Sequence, residues 1–237
     1  MDAVCNRLGV HTDVSHNPPN ATIVEGCTKL GYDVSDIPHN APGHHSCGWC
    51  TFGCTRGLKQ GMQETFLQDA AKAGAHFIVN ASVLRVNHKA GKASGVVAEY
   101  KNPATGVVKK FEVKAKVVVV SAGTLNTPLV LKRSGLKNPN IGKYLRLHPV
   151  VAVRGRFDKE MKPWDGCNMS AVSKVTANRN GTHYGSIIET PILHAGLLGS
   201  GLPWRAAEDY KTSCLGTYLF LSLVLLFPII LIYLFCN

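Results

Sequence analysis

Four consecutive β-branched residues, Val117-Val118-Val119-Val120, constrain this chain more than any other segment. A strand with one wet face alternates apolar and polar side chains, so an unbroken apolar run reads as a strand buried on both faces, as at the centre of a parallel sheet. It stops at Ser121-Ala122-Gly123, whose small side chains let another group approach the backbone closely. Thr127 then reads as a helix cap, Pro128 as the first helical position, and Ser134-Gly135 as the stop after Leu129, Val130 and Leu131. Strand, small-residue turn and helix together make half of a dinucleotide-binding unit.

The runs Phe77 to Val79, Val83 to His88, Val96 to Tyr100 and Val107 to Val113 read as strands. Ala90-Gly91-Lys92 and Asn102-Pro103-Ala104-Thr105-Gly106 are turn chemistry, so the last three form an antiparallel meander. Before them, Met62, Phe66, Leu67, Ala70 and Ala73 share a helical face, predicting about three turns with Gly74 as the stop. Residues 1 to 46 read as loop beyond a short first helix, punctuated by Asn17-Pro18-Pro19-Asn20 and Pro42-Gly43. Val150 to Phe157 reads as a strand, and Ile187-Ile188 as the start of another.

The length of 237 residues can bury a sizeable core, and 45% apolar against 17% charged residues excludes an extensively disordered chain. The 26 basic and 15 acidic residues leave +11, but the lysines and arginines are scattered with no run of five, a pattern that predicts no nucleic-acid partner. Eight cysteines are too few for a disulfide-dense miniprotein, and no charged-then-apolar leader opens the chain, so a reduced compartment is expected. The Asn-x-Ser/Thr triplets at Asn20, Asn80, Asn168 and Asn180 then read as chance matches.

Leu215 to Cys236 is long and apolar enough to span a bilayer as a helix. It reads as a single-pass membrane anchor, as a buried core helix, or as an aberrant tail. Cys47, Cys50 and Cys54, with His44 and His45 just before, offer thiolate and imidazole donors at metal-ligand spacing, but no second CxxC completes a pair of knuckles. A metal site, a redox or structural cysteine pair and a packed loop all remain open there. Cys167, His183 and His194 have no partners at ligand spacing and read as surface-loop residues, and His148 as structural. Ser121 has no nucleophile elbow around it, which argues against a hydrolase.

The stretch Val117 to Pro128, continued by Leu129 to Leu131 and Ser134-Gly135-Leu136, resembles the second signature of glucose-methanol-choline (GMC) flavoprotein oxidoreductases. Ile141-Gly142-Lys143-Tyr144-Leu145-Arg146-Leu147-His148-Pro149 is similar to that family's sequel, while Lys137 stands where the signature usually has Gly. Cys47-Gly48-Trp49-Cys50-Thr51-Phe52-Gly53-Cys54, with Gly57, Lys59-Gln60-Gly61, Thr65 and Leu67-x-Asp69-Ala70, resembles the long-chain fatty alcohol oxidase branch. The resemblance implies FAD as cofactor, a long-chain primary alcohol and O2 as substrates, and aldehyde and H2O2 as products. It places the adenine end of FAD against the Val83 backbone, with Ser121, Ala122 and Gly123 facing the cofactor. Other GMC alcohol oxidases or dehydrogenases, and a membrane-tethered, non-catalytic binding module, are the alternatives.

The expected fold class is α/β: an incomplete FAD-binding Rossmann-like domain with an antiparallel β-meander, part of an α+β substrate domain, and an apolar C-terminal helix. The expected divisions are a loop-rich segment with the Cys motif (1–60), a partial FAD-binding domain (61–148), a partial substrate-binding domain (149–211), and the apolar segment (215–236). No GxGxxG loop occurs, and nothing resembling the family's C-terminal His block follows residue 190, so the catalytic base is expected outside this sequence. The chain reads as the middle of an oxidase, not competent alone.

Overall fold

The computed structural model describes residues 1–41, 45–147, 149–182, 184–192 and 218–226. In chain order the principal elements are α1 (Asp2–Arg7), β1 (Val10–His11), α2 (Pro18–Lys29), β2 (Ser35–Asp36), β3 (His39–Asn40), α3 (Phe66–Lys72), β4 (Ala81–Lys89), β5 (Lys92–Lys101), β6 (Val108–Lys114), α4 (Gly123–Arg133), β7 (Val150–Arg156), β8 (Ala171–Ser173), β9 (Gly185–Glu189) and β10 (Tyr218–Leu226). The chain divides into two compact units, Met1–Lys72 with Leu147–Asn237, and Ala73–Arg146. The architecture is mixed α/β, and its sheets are antiparallel.

In the first unit, α2 stands where the sequence pattern predicts loop. Asn17-Pro18-Pro19-Asn20 is instead a helix start, with Asn17 as N-cap and the prolines in the first turn, where no N–H is needed. The Asn17 side-chain oxygen accepts from the Asn20 backbone N–H at 3.0 Å and from Asn20 Nδ2 at 2.7 Å. Asn17 Nδ2 donates to the Pro163 carbonyl at 2.7 Å, and Asn20 Oδ1 accepts from the Ser170 and Ala171 N–H groups at 3.0 Å each. Asn17 is 1% exposed and Asn20 0%, so both amides lie wholly inside. The contact fastens α2 to the start of β8, where Met161, Cys167, Ala171 and Val172 form the buried apolar centre.

β8 leads into a five-stranded sheet of order β2-β8-β9-β10-β7. Residues 218–226 are therefore not part of the helix expected over 215–236. Tyr218–Leu226 is a strand, pairing Leu221 with Val153 of β7 and Leu223 with Ile188 of β9. An apolar run interrupted only by Ser222 carries no period that separates helix from strand, and two receptive strand edges decide in favour of the strand. Residues 215–217 and 227–236 lie outside the described residues. Among the described residues no helix is long and apolar enough to cross a membrane.

The expected three-turn helix from Gly61 shortens to α3, seven residues with none buried, and Met62 is exposed, so its apolar stripe is not a core stripe. Thr65 hydroxyl donates to the Gly61 carbonyl at 2.7 Å and settles the preceding turn. α3 is held by a two-pronged ion pair, Arg7 Nε and Nη2 donating to Asp69 at 2.6 and 2.8 Å.

The second unit contains the expected meander, a three-stranded sheet of order β4-β5-β6. Phe77 to Val79 is not a strand and is exposed. Val117 to Val120 is not a buried strand either: it has no ladder partner among the described residues, and Val117 and Val119 are 77% and 82% exposed. β-branched side chains supply a preference for extended backbone, but a strand exists only where a neighbour receives its N–H and C=O groups. α4 begins at Gly123 and not after Thr127, with Pro128 inside it.

Asn20→Ala leaves two buried N–H groups without acceptors, and is expected to lower the unfolding free energy by about 2–4 kcal/mol, read from the urea midpoint. NMR titration is expected to find the Asp69 carboxyl below the usual aspartate range, because it accepts Arg7's hydrogen bonds and faces its charge. Arg7→Gln returns it to that range. The pair's stabilisation is present above the unfolded-state pKa and disappears as pH falls through the folded-state pKa.

Candidate functional site

The four residues expected to face a cofactor lie in the second unit. Val83 sits on β4 opposite Ala98, and the next register pair is Arg85 with Val97, so Leu84 is the extra residue of a bulge. β4 is an edge strand, leaving one row of its backbone groups outside the sheet. Part of that row is used by α4: the Val86 N–H donates to Ser134 Oγ at 2.8 Å, and His88 Nε2 bonds the Ser134 carbonyl at 2.7 Å. Ser134 Oγ in turn donates to the Val130 carbonyl at 2.7 Å, and both residues are buried. The end of α4 is thus fixed to the strand that carries Val83.

Ser121, Ala122 and Gly123 lead into the opposite end of α4 and are exposed. The Ala122 N–H donates to Thr127 Oγ1 at 3.1 Å, no side chain caps the helix, and its first turn has no acidic residue. Gly123 takes φ +79°, and a Cβ there would meet open space. Small side chains and a positive helix end leave room here for an anionic group. Val83 is partly exposed on the same unit.

A second constellation lies in the first unit. Cys47 forms an isolated antiparallel bridge with Asp165, and His16 a parallel one with Cys167, drawing the cysteine loop and residues 165–167 together. A Cβ on Gly48 would come within 2.5 Å of the Trp164 backbone, so only glycine allows this approach. Trp49 stacks on Trp164 at 6.2 Å. Cys167, expected on a surface loop, is 0% exposed: its N–H donates to the Ser15 carbonyl at 2.7 Å, and its thiol donates to the His45 carbonyl. Tertiary proximity across 122 positions is invisible to spacing in the sequence.

Around Cys167 the ligating atoms of His39, His45 and Cys167 lie within 4.8 Å of one another. His45 Nδ1 is 4.0 Å from Cys167 Sγ, and its Nε2 is 3.5 Å from Cys50 Sγ. Burial, then the charge of Lys59, pushes the pKa of both His39 and His45 down, favouring neutral rings. Burial pushes the Cys50 and Cys167 thiols up. Cys54 is turned into its own loop, where backbone groups of Lys59, Leu58, Arg56 and Gly57 lower its pKa and the Leu58 N–H donates to its sulfur at 3.2 Å. The expected trio Cys47, Cys50 and Cys54 therefore contributes Cys50 to the histidine cluster, while His39 and Cys167 come from outside the motif. His44, His148, His183 and His194 lie outside the described residues.

Ser134→Ala removes the acceptor of the Val86 N–H, and is expected to destabilise the second unit by about 1–3 kcal/mol. Amide hydrogen exchange at Val86 accelerating more than at Val113 would locate the loss.

Residues 1–150 match the GMC oxidoreductase family. Long-chain-alcohol oxidase FAO4A of Arabidopsis thaliana is 39% identical over 232 residues, covering 91% of this chain and 31% of the relative. Long-chain-alcohol oxidase FAO4B of the same plant is 35% identical over 226 residues, covering 89% and 30%. An uncharacterised GMC-type oxidoreductase of Mycobacterium tuberculosis is 39% identical over 150 residues, covering 63% and 23%. The chain spans about a third of the length of the plant relatives. With the family signature on the exposed turn before α4, and the match running through it, the chain belongs to the GMC oxidoreductase family.

Proposed function

We propose that this chain is part of an FAD-dependent long-chain-alcohol oxidase, which converts a primary fatty alcohol and O2 to the aldehyde and H2O2. The observation that carries the reading is the 39% identity to a plant long-chain-alcohol oxidase along 91% of the chain, cysteine motif included. In this reading residues 61–148 belong to the cofactor domain and 149–211 to the substrate domain.

FAD, when bound, supplies the hydride acceptor for the carbinol carbon. The role of this chain is positional. The backbone at Val83 receives the adenine end, and the bulge at Leu84 opens the strand there. Ser121, Ala122 and Gly123 bring uncluttered backbone to the cofactor, and the bond from Val86 to Ser134 keeps α4 in register with β4. The base that takes the hydroxyl proton is not among these residues. Val117, Val119, Leu125 and Leu129 are exposed on this unit, an apolar surface that supports packing against further parts of the oxidase. Fatty alcohols partition into lipid, so the reading also puts the parent enzyme at a membrane surface, which fractionation of the parent tests.

The chain alone with excess FAD and a long-chain primary alcohol is expected to show no stoichiometric flavin spectrum and no alcohol-dependent peroxide. A full-length parent carrying this sequence is expected to produce peroxide from long-chain primary alcohols in preference to sugars, aryl alcohols or choline. Gly123→Val in that parent is expected to reduce flavin content. Peroxide formation by the isolated chain, or a parent indifferent to fatty alcohols, overturns the reading.

A further inference from the structure

The His39–His45–Cys167 cluster is not used by the flavin chemistry, and its composition is that of a metal centre. Two imidazoles and one thiolate suit a borderline-soft divalent ion and are poorly matched to Mg2+ or Ca2+, which take oxygen, or to an iron–sulfur cluster, which takes thiolates at most corners. All three residues are buried. His39 Nδ1 is a buried polar atom without a hydrogen-bond partner, a loss that normal interiors avoid unless something else occupies the position. We infer that His39, His45 and Cys167 bind one zinc-class divalent ion, with Cys50 as the outer partner that orients the His45 ring.

The geometry is close to what such an ion requires. Tetrahedral zinc, with bonds of about 2.0–2.1 Å to nitrogen and about 2.3 Å to sulfur, sets donor atoms roughly 3.3–3.6 Å apart. The His45 Nδ1 to Cys167 Sγ separation of 4.0 Å closes with a small side-chain adjustment. His45 has its other nitrogen against Cys50 Sγ, the arrangement in which a ligating histidine donates its remote N–H to a second group and so fixes its tautomer. A cavity lined by Asp13, Val14, Ser15, His45 and Ser46 borders His45, and in this proposal a water takes the fourth position. Binding releases one proton, from the Cys167 thiol, which exchanges its hydrogen bond to the His45 carbonyl for the metal bond. No electron is transferred. The ion would join β3, the cysteine loop and the segment before β8, three stretches far apart in the sequence.

The inference is independent of the flavin reading and is tested without activity. The full chain, purified under reducing conditions, stripped by a chelator and titrated with zinc against a chromophoric competitor, is expected to take up one equivalent. Co2+ in place of zinc is expected to give a thiolate-to-cobalt charge-transfer band with tetrahedral ligand-field bands. Cys167→Ser removes the charge-transfer band, and Cys54→Ser leaves band and stoichiometry unchanged. Cys50→Ser keeps one equivalent but weakens affinity by about 10–100-fold. Because Cys167 is in the core, His39→Gln provides a second reading: zinc affinity falls at least about tenfold with far-ultraviolet circular dichroism unchanged. Absence of stoichiometric uptake overturns the proposal, as does a charge-transfer band that survives Cys167→Ser and is lost in Cys54→Ser.

Discussion

The first unit depends on a pair of buried amides. Asn17 and Asn20 satisfy each other and also saturate the Pro163 carbonyl and the Ser170 and Ala171 N–H groups. Each of these backbone groups would otherwise be buried unpaired, at a cost of the order of a whole hydrogen bond. Once the pair is in place, neighbouring bonds fall into line: Cys167 N–H to Ser15, Ile37 N–H to the Ser170 carbonyl, and the Ser173 hydroxyl to Asp33. The segment 165–173 becomes a central thread between 13–17 and 33–37. Its position brings Cys167 to His45, so the histidine–cysteine cluster is a product of this polar lock more than of apolar packing.

The second unit is organised differently. Its meander closes by turns and ladder bonds, and Ser134 fastens its helix to the sheet edge. Few residues there are fully buried, Ala98 and Val130 among them, and Val117, Val119, Leu125 and Leu129 are exposed. The signature turn is thus held through α4, which is anchored at its far end, and not through a sheet beneath Val117–Val120.

What could be read from residues alone follows from whether the determining interaction is local. The meander was legible because Ala90-Gly91-Lys92 and Asn102 to Gly106 specify turns within a few positions, and strands β7 and β9 were legible from their β-branched runs. α2 is not legible although Asn17-Pro18-Pro19 marks its start, because the same prolines suit a chain break as well as a helical first turn. Val117–Val120 and the tail at 218–226 failed for reciprocal reasons: the first lacks a neighbour to pair with, and the second finds two. For the sites, the exposed small-residue turn at 121–123 was recognisable as a motif. The partnership of His39 and His45 with Cys167 was not, because ligand spacing counts positions along the chain and this cluster is assembled across it.

The burial of Asn20 has a consequence beyond stability. Asn20-Ala21-Thr22 has the form on which an oligosaccharide is transferred, yet the nitrogen that would carry the sugar donates to Asn17 in the interior. A glycan can be attached there only to a nascent, open chain, and once attached it would prevent α2 from seating on the Ser170 backbone. Passage through a glycosylating organelle would therefore be a race between the transferase and the closure of a contact that spans 150 positions of the chain.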